Sequence, residues 1–273
     1  MKVGIGVIGI FLISLFISKT ELATKNIVAD VPTSVEETEV MTYIEEATTG
    51  IETTTQQKTT TVTQPYRTGY INGNNICVRK RPSKRAKSKE KVFYGKRIRY
   101  KKINAKWAKI KAKNVKGYIQ IKYISKKEKK SITHDTVPNY KLHSYMSYKS
   151  LSSTTSKQYK LQKIAYTGRY GIRPVDGRFC IAMGSYYTTK IGTYIDLELS
   201  DGTVIPCVLA DCKADIHTDS MNQKTSDGSL IEFIVDTNYV SNQVRLMGDV
   251  SYANDGWQNK VTKIKIYKKV EKY

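Results

Sequence analysis

The sequence predicts an all-β protein, on three observations. Ala108, Ile110 and Ala112 alternate with Lys109, Lys111 and Lys113, and Ile195, Leu197 and Leu199 alternate with Asp196, Glu198 and Ser200. This is the two-residue period of strands that bury one face. After the second run, Asp201-Gly202 supplies a turn and Thr203-Val204-Ile205 begins a return strand, which together read as a hairpin. Long helical periodicity is absent, and only Ser156 to Ala165 reads as a short helix, with Tyr159, Leu161, Gln162 and Ala165 facing inward.

With 273 residues the chain has room for two domains, and its 46 Lys and Arg against 24 Asp and Glu are unevenly spread. Residues 1–66 hold 4 basic and 8 acidic side chains, 67–130 hold 24 and 2, and 131–273 hold 18 and 14. The net charge of +22 therefore resides in one 64-residue stretch, which marks an anion-facing module. Four cysteines without a CxxC pair exclude a disulfide-dense scaffold, and no Walker or GxGxxG pattern points to a nucleotide-dependent enzyme.

Taken in order, residues 1–18 contain a sixteen-residue uncharged run between Lys2 and Lys19. Its length lies between a signal peptide's apolar region, about 7–15 residues, and a spanning helix of about 20, so it reads as an export signal or a membrane anchor. Residues 19–66 are rich in Thr and Glu and too poor in large apolar groups to order themselves, which predicts a disordered spacer. Residues 67–125 alternate as short strands of a small barrel or sandwich. Residues 126–153, first basic and then rich in Ser and Tyr, read as a second, mobile linker. Residues 154–273 carry strand signals over some 110 positions and predict a closed or nearly closed barrel.

In the basic module, Val78-Arg79 with Pro82, Gly95 before an alternating strand, Trp107 ahead of Ile110, and Gly117-Tyr118-Ile119 followed by Tyr123-Ile124 resemble the bacterial SH3-like domain. That resemblance implies non-catalytic binding to cell-wall material, often peptidoglycan peptides, with Arg79, Trp107 and Tyr118 as candidate contacts; the two aromatics also suit a core role. The lysines and arginines from Lys80 to Lys102 point further, to anionic wall polymers such as teichoic acid or to lipid headgroups, bound by attraction that weakens with salt. Nucleic acid would meet the same electrostatics, but an exported chain rarely encounters it.

In the C-terminal part, Asp211, Cys212, Asp215, His217 and Asp219 crowd a loop that follows the apolar run Val204 to Leu209. Cleaving a glycosidic bond needs a carboxyl group that donates and then accepts a proton, and an apolar barrel mouth can tune one for it. The segments Val175 to Ser185, Val208-Leu209-Ala210-Asp211 and Leu230-Ile231-Glu232-Phe233 resemble the three-aspartate domain, a double-psi β-barrel shared by wall-remodelling proteins and lytic transglycosylases. The resemblance, over roughly Met146 to Tyr267, implies that Asp176, Asp211 and Glu232 stand for the three acids, with Glu in place of the third Asp and Lys213-Ala214-Asp215 where the family has glycines. Asp211 is then the general acid, and His217 and Asp219 shape the saccharide groove.

Other readings stay open at this stage. Asp176 before Gly177 also suits a plain turn, His217 with its acids suits a metal, and Cys180 or Cys212 with His217 suits a thiol nucleophile. Cys180, Cys207 and Cys212 allow one disulfide or free thiols. The expectation is a cofactor-free wall hydrolase whose partners are peptidoglycan, anionic polymer and, through its N-terminus, the membrane. The competing class is a non-catalytic wall-binding protein.

Overall fold

The computed structural model describes residues 64–135 and 140–273. The expectations for residues 1–18 and for most of the Thr/Glu spacer lie outside the described residues. Among the described residues the architecture is all-β, with two short α-helices, and no helix is long and apolar enough to cross a membrane.

The basic lobe contains β1 (Arg67–Ile71), β2 (Ile76–Arg79), β3 (Ser88–Val92), β4 (Arg97–Lys102), β5 (Trp107–Ala112), β6 (Val115–Gln120) and β7 (Ile124–Ser125). They form one antiparallel sheet in the order β3-β2-β6-β5-β4-β1-β7. The alternation fixes its faces: Ile98 and Tyr100, Ala108 and Ile110, and Val115 and Ile119 turn inward onto Ile71, Val78 and Val92. The lysines between them turn outward. Arg99 stands opposite Lys111 across β4 and β5, and Lys111 opposite Lys116 across β5 and β6.

The C-terminal lobe begins earlier than the sequence suggests. The segment expected to be a linker supplies two strands, β8 (Ser131–Asp135) and β9 (Lys141–Ser147). They are followed by α1 (Lys157–Ile164), β10 (Pro174–Val175), β11 (Arg178–Met183), β12 (Thr193–Leu199), β13 (Val204–Cys212), β14 (Ser229–Val235), α2 (Asn242–Met247) and β15 (Val261–Val270). The sheet order is β8-β15-β12-β13-β11-β14-β9, with β10 paired to β11. Two pairings are parallel, β9 with β14 and β11 with β13. The Asp201-Gly202 hairpin forms between β12 and β13, which pair Glu198 with Val204, and Gly202 takes a φ of 81°. Ser156 caps α1 by accepting the Tyr159 amide, and the helix buries Leu161 and Gln162. The core gathers Ile181, Ile195, Leu197, Leu209, Phe233 and Trp257 from all the central elements.

Both lobes belong to one compact unit. Arg178 joins them and is fully buried. Its Nε donates to Asn74 Oδ1 at 2.8 Å and its Nη2 to the Tyr94 carbonyl at 3.2 Å, both in the basic lobe. Nη1 donates within the C-terminal lobe to Asp196 Oδ1 at 2.9 Å and to the carbonyls of Ile195 and Cys207 at 3.1 Å. Each guanidinium nitrogen thus has a partner, which a buried cation requires. Tyr94 packs edge-on against Tyr194 and Tyr267 at 5.7 and 5.5 Å. Gly95 (φ 87°) lets the Tyr267 ring pass where a Cβ would sit 2.2 Å from it.

Candidate functional site

The chemistry-bearing residues of the C-terminal lobe come from a defect in its sheet. β11 and β13 run in register from Phe179 opposite Cys207 to Ile181 opposite Leu209, then Ala182 pairs with Asp211 and the register has slipped by one. Ala210 is the extra residue of a bulge, the irregularity that re-aims side chains at the end of a strand. Burial changes at this point: Cys207 to Ala210 are sealed in the core, while Asp211 and Cys212 are half-buried. On the other side of β11 the same Ala182 pairs with Glu232 of β14. Asp211 and Glu232 therefore flank one small residue across three adjacent strands, with backbones about 9–10 Å apart at ordinary strand spacing.

Two further side chains, Gln158 and Lys213, complete the arrangement. Gln158 of α1 donates from Nε2 to Asp211 Oδ1 at 3.3 Å. Lys213, its side chain only 2% exposed, brings Nζ to 3.5 Å from Glu232 Oε1, and its amide is held by the Met183 carbonyl. His143 of β9 stands 3.3 Å from the buried Asp249 carboxylate. Burial holds the Asp211 carboxyl above the usual carboxylate range and the nearby Glu232 charge adds to this, while the Cys212 amide and Gln158 oppose it. Burial likewise lowers the Lys213 ammonium, against the support of Glu232. One carboxyl group raised above its ordinary range, beside a second acid paired with a lysine, is the kind of separation that acid–base work on a bound substrate uses.

The other candidates fall elsewhere. Asp176 lies in the two-residue turn between β10 and β11, with φ of 48° at Asp176 and 77° at Gly177. It is six residues before Ala182 on an extended path, about 20 Å at strand rise, and its carboxyl lies among Glu271, Asn74 and Arg178. The chain thus separates it from Asp211 and Glu232. Asp219 accepts the Gln223 amide at 2.8 Å and closes its own loop. His217 is exposed in the turn Asp215–His217.

No cluster of three or more His, Cys, Asp or Glu among the described residues is arranged to hold a metal ion. All four cysteines are free thiols. Burial pushes the Cys180 thiol up to about 12 and raises Cys212 as well, the reverse of what a thiolate nucleophile needs.

In the basic lobe, Trp107 and Arg79 share a cleft of about 300 Å³ with Lys84, Lys122 and Tyr123. Arg79 also holds the Ala86 carbonyl at 2.7 Å. Tyr118 sits opposite Arg79 across β6 and β2 and carries Lys109 over its ring at 6.0 Å.

Sequence reasoning missed Gln158 and Lys213 as parts of this neighbourhood. The available signal for Lys213 was its place where glycine was expected, since a lysine there has to be accommodated by something. No family model, no curated protein and no solved structure matches the chain.

Proposed function

We propose that the chain is an exported, wall-associated protein whose C-terminal lobe cleaves glycan strands as a lytic transglycosylase, with the basic lobe holding it on anionic wall polymer. In this reading the basic lobe is SH3-like and the C-terminal lobe a double-psi barrel; two parallel pairings inside an otherwise antiparallel sheet support the latter. The observation that carries the catalytic part is Asp211, half-buried at the bulge, its carboxyl raised by burial and coupled to Glu232 across Ala182.

Protonated Asp211 gives its proton to the glycosidic oxygen as the bond to the anomeric carbon breaks. The resulting carboxylate takes the proton of the sugar's own 6-hydroxyl, whose oxygen closes on the anomeric carbon. The strand is cut, an anhydro ring forms, no water is consumed and Asp211 ends protonated. Glu232, held by Lys213, is an anion placed to stabilise the positive charge that develops on the ring. Gln158 orients Asp211.

Asp211→Asn tests this: release of anhydro-muropeptides from purified sacculi falls by about 10²–10⁴-fold, the usual worth of a general acid. Unchanged release by the folded variant eliminates Asp211. A second reading, adhesion without catalysis, is favoured by the cleft that Trp107 and Arg79 share in the basic lobe. It predicts no release by the wild-type protein. In both readings retention on wall fragments drops as salt rises from about 0.1 M to about 1 M, where the screening length shrinks from about 10 to about 3 Å. Salt-insensitive retention rules out the electrostatic anchor.

A further inference from the structure

The two lobes enclose a cleft of about 470 Å³, a volume within the range of ligand sites. Lys91, Lys96 and Arg97 line it from the basic lobe, Lys263 and Lys265 from β15. None of these five forms an ion pair among the described residues, where the three ion pairs lie elsewhere. Two carboxylates also line the cleft: Asp196, opposite Lys265 across β12 and β15 and engaged by Arg178 and the Tyr267 hydroxyl, and Glu198, which with Asp135 of β8 flanks Lys263; the five cations still outnumber the acids there. Phe93 and Pro206 add apolar surface. A low-dielectric cleft that gathers more cations than acids focuses an attraction for anions.

The cleft does not end at its rim. Arg97 also lines an adjoining, shallower groove of about 620 Å³, with Arg99, Lys111 and Lys113. There the outward row Arg99, Lys111 and Lys116 sets like charges directly opposite one another on neighbouring strands, which costs stability in the free protein. Lys113 reaches across to the other lobe, its Nζ lying 2.4 Å from where a Cβ on Gly202 would be. The two grooves share Arg97 and together make one cationic track, walled by both lobes along the cleft and by the basic lobe along the shallower groove.

We infer that this track binds a linear phosphodiester polyanion. Its phosphates would meet the lysines and arginines of both lobes and its carbon chain would lie over Phe93 and Pro206. A single lipid headgroup or free phosphate fills one groove and has no use for the second. A phosphodiester chain keeps one fixed charge per repeat and puts carbon between the charges, matching cations separated by apolar patches. The inference rests on the anchoring half of the proposed function and is independent of Asp211.

The test is binding of a lipid-free glycerol phosphate oligomer to the full chain, with glycerol phosphate monomer alongside. Lys263→Glu with Lys265→Glu changes only the C-terminal wall of the cleft, at one exposed and one half-buried position. Charge reversal there weakens oligomer binding by about tenfold or more in the folded variant, whose melting temperature falls because Glu198, Asp196 and Asp135 stand opposite the new acids. The corresponding pair of Gln substitutions gives a smaller loss and serves if the Glu pair does not fold. Wild-type affinity in the folded variants overturns the site. If Lys80→Glu with Arg81→Glu abolishes binding instead, the anchor survives on the outer face. No binding of the oligomer by the wild-type chain removes the anchor as well. Monomer bound as tightly as oligomer overturns the linear ligand, and preference for anionic vesicles or single-stranded DNA overturns the polymer class.

Discussion

Residues 67–130 carry 24 basic and 2 acidic side chains and form no ion pair among the described residues, whereas all three ion pairs lie in residues 131–273, which carry 18 and 14. The small lobe leaves its charges in water, several of them facing like charges, and they act over a screening length on whatever approaches. The larger lobe buries individual charged groups beside a partner: Arg178 with Asp196, Lys213 with Glu232, and Asp249 beside the His143 imidazole. Charge of the first kind supplies attraction without geometry. Charge of the second kind supplies geometry, and removing one member strands the other.

The sharpest way to break this contrast is at Arg178. Arg178→Met keeps bulk in the cavity but leaves the largely buried Asp196 with only the Tyr267 hydroxyl as a partner and frees the carbonyls of Tyr94, Ile195 and Cys207. A loss of about 3–5 kcal/mol in urea unfolding is expected. Lys80→Ala, which removes a charge of the same sign from the exposed surface of the basic lobe, should change stability by no more than about 0.5 kcal/mol. Similar losses in the two variants would mean that the lobes do not differ in how they use charge.

What was legible in the sequence follows the same division between local and distant causes. The Asp201-Gly202 hairpin, the alternation of Ala108, Ile110 and Ala112, and the helix with its inward Leu161 and Gln162 are written within a few residues of themselves. β8 and β9 were missed because they are edge strands. Their polar faces, with Ile132 more than half exposed, show no clean period, and they exist by pairing with β15 and β14 far along the chain. Arg178 carries no local signal of its role, since its partners Asn74, Tyr94 and Asp196 come from three distant segments. Asp211 was picked out by its position after an apolar run. Its link to Glu232 through Ala182 needed the sheet register, and the distance to Asp176 needed the direction of β11.

A smaller effect sharpens the geometry around the site. Ser156 accepts the Tyr159 amide and so fixes the start of α1, which presents Gln158 to Asp211. Ser156→Ala should cost about 1 kcal/mol, the usual worth of an N-cap. Because α1 is only eight residues long and unstable alone, its first turn should also exchange amide hydrogens faster. Unaltered exchange at Tyr159 would show that packing of Leu161, not the cap, sets the helix.

Asp211 gives the smallest change, one in which the sign matters more than the size. A carboxyl whose folded pKa lies above its ordinary value of 3.8 makes the native state bind more protons than the unfolded chain in the window between the two. Stability contributed by this group is therefore full below the unfolded pKa and falls as pH rises through that window to a lower plateau. Asn cannot ionise, yet its amide oxygen still accepts from Gln158 and the Cys212 amide. Asp211→Asn should then be more stable than the wild type at neutral pH, with the difference vanishing below the unfolded pKa. The exposed lysines of the basic lobe offer no such gain, because water already solvates them. A variant less stable at neutral pH would mean that the charged carboxylate is held by its hydrogen bonds rather than penalised by burial, and Asp211 would lose its standing as the proton donor. A gain in stability joined to a loss of glycan release would identify a residue kept for chemistry at the expense of the fold.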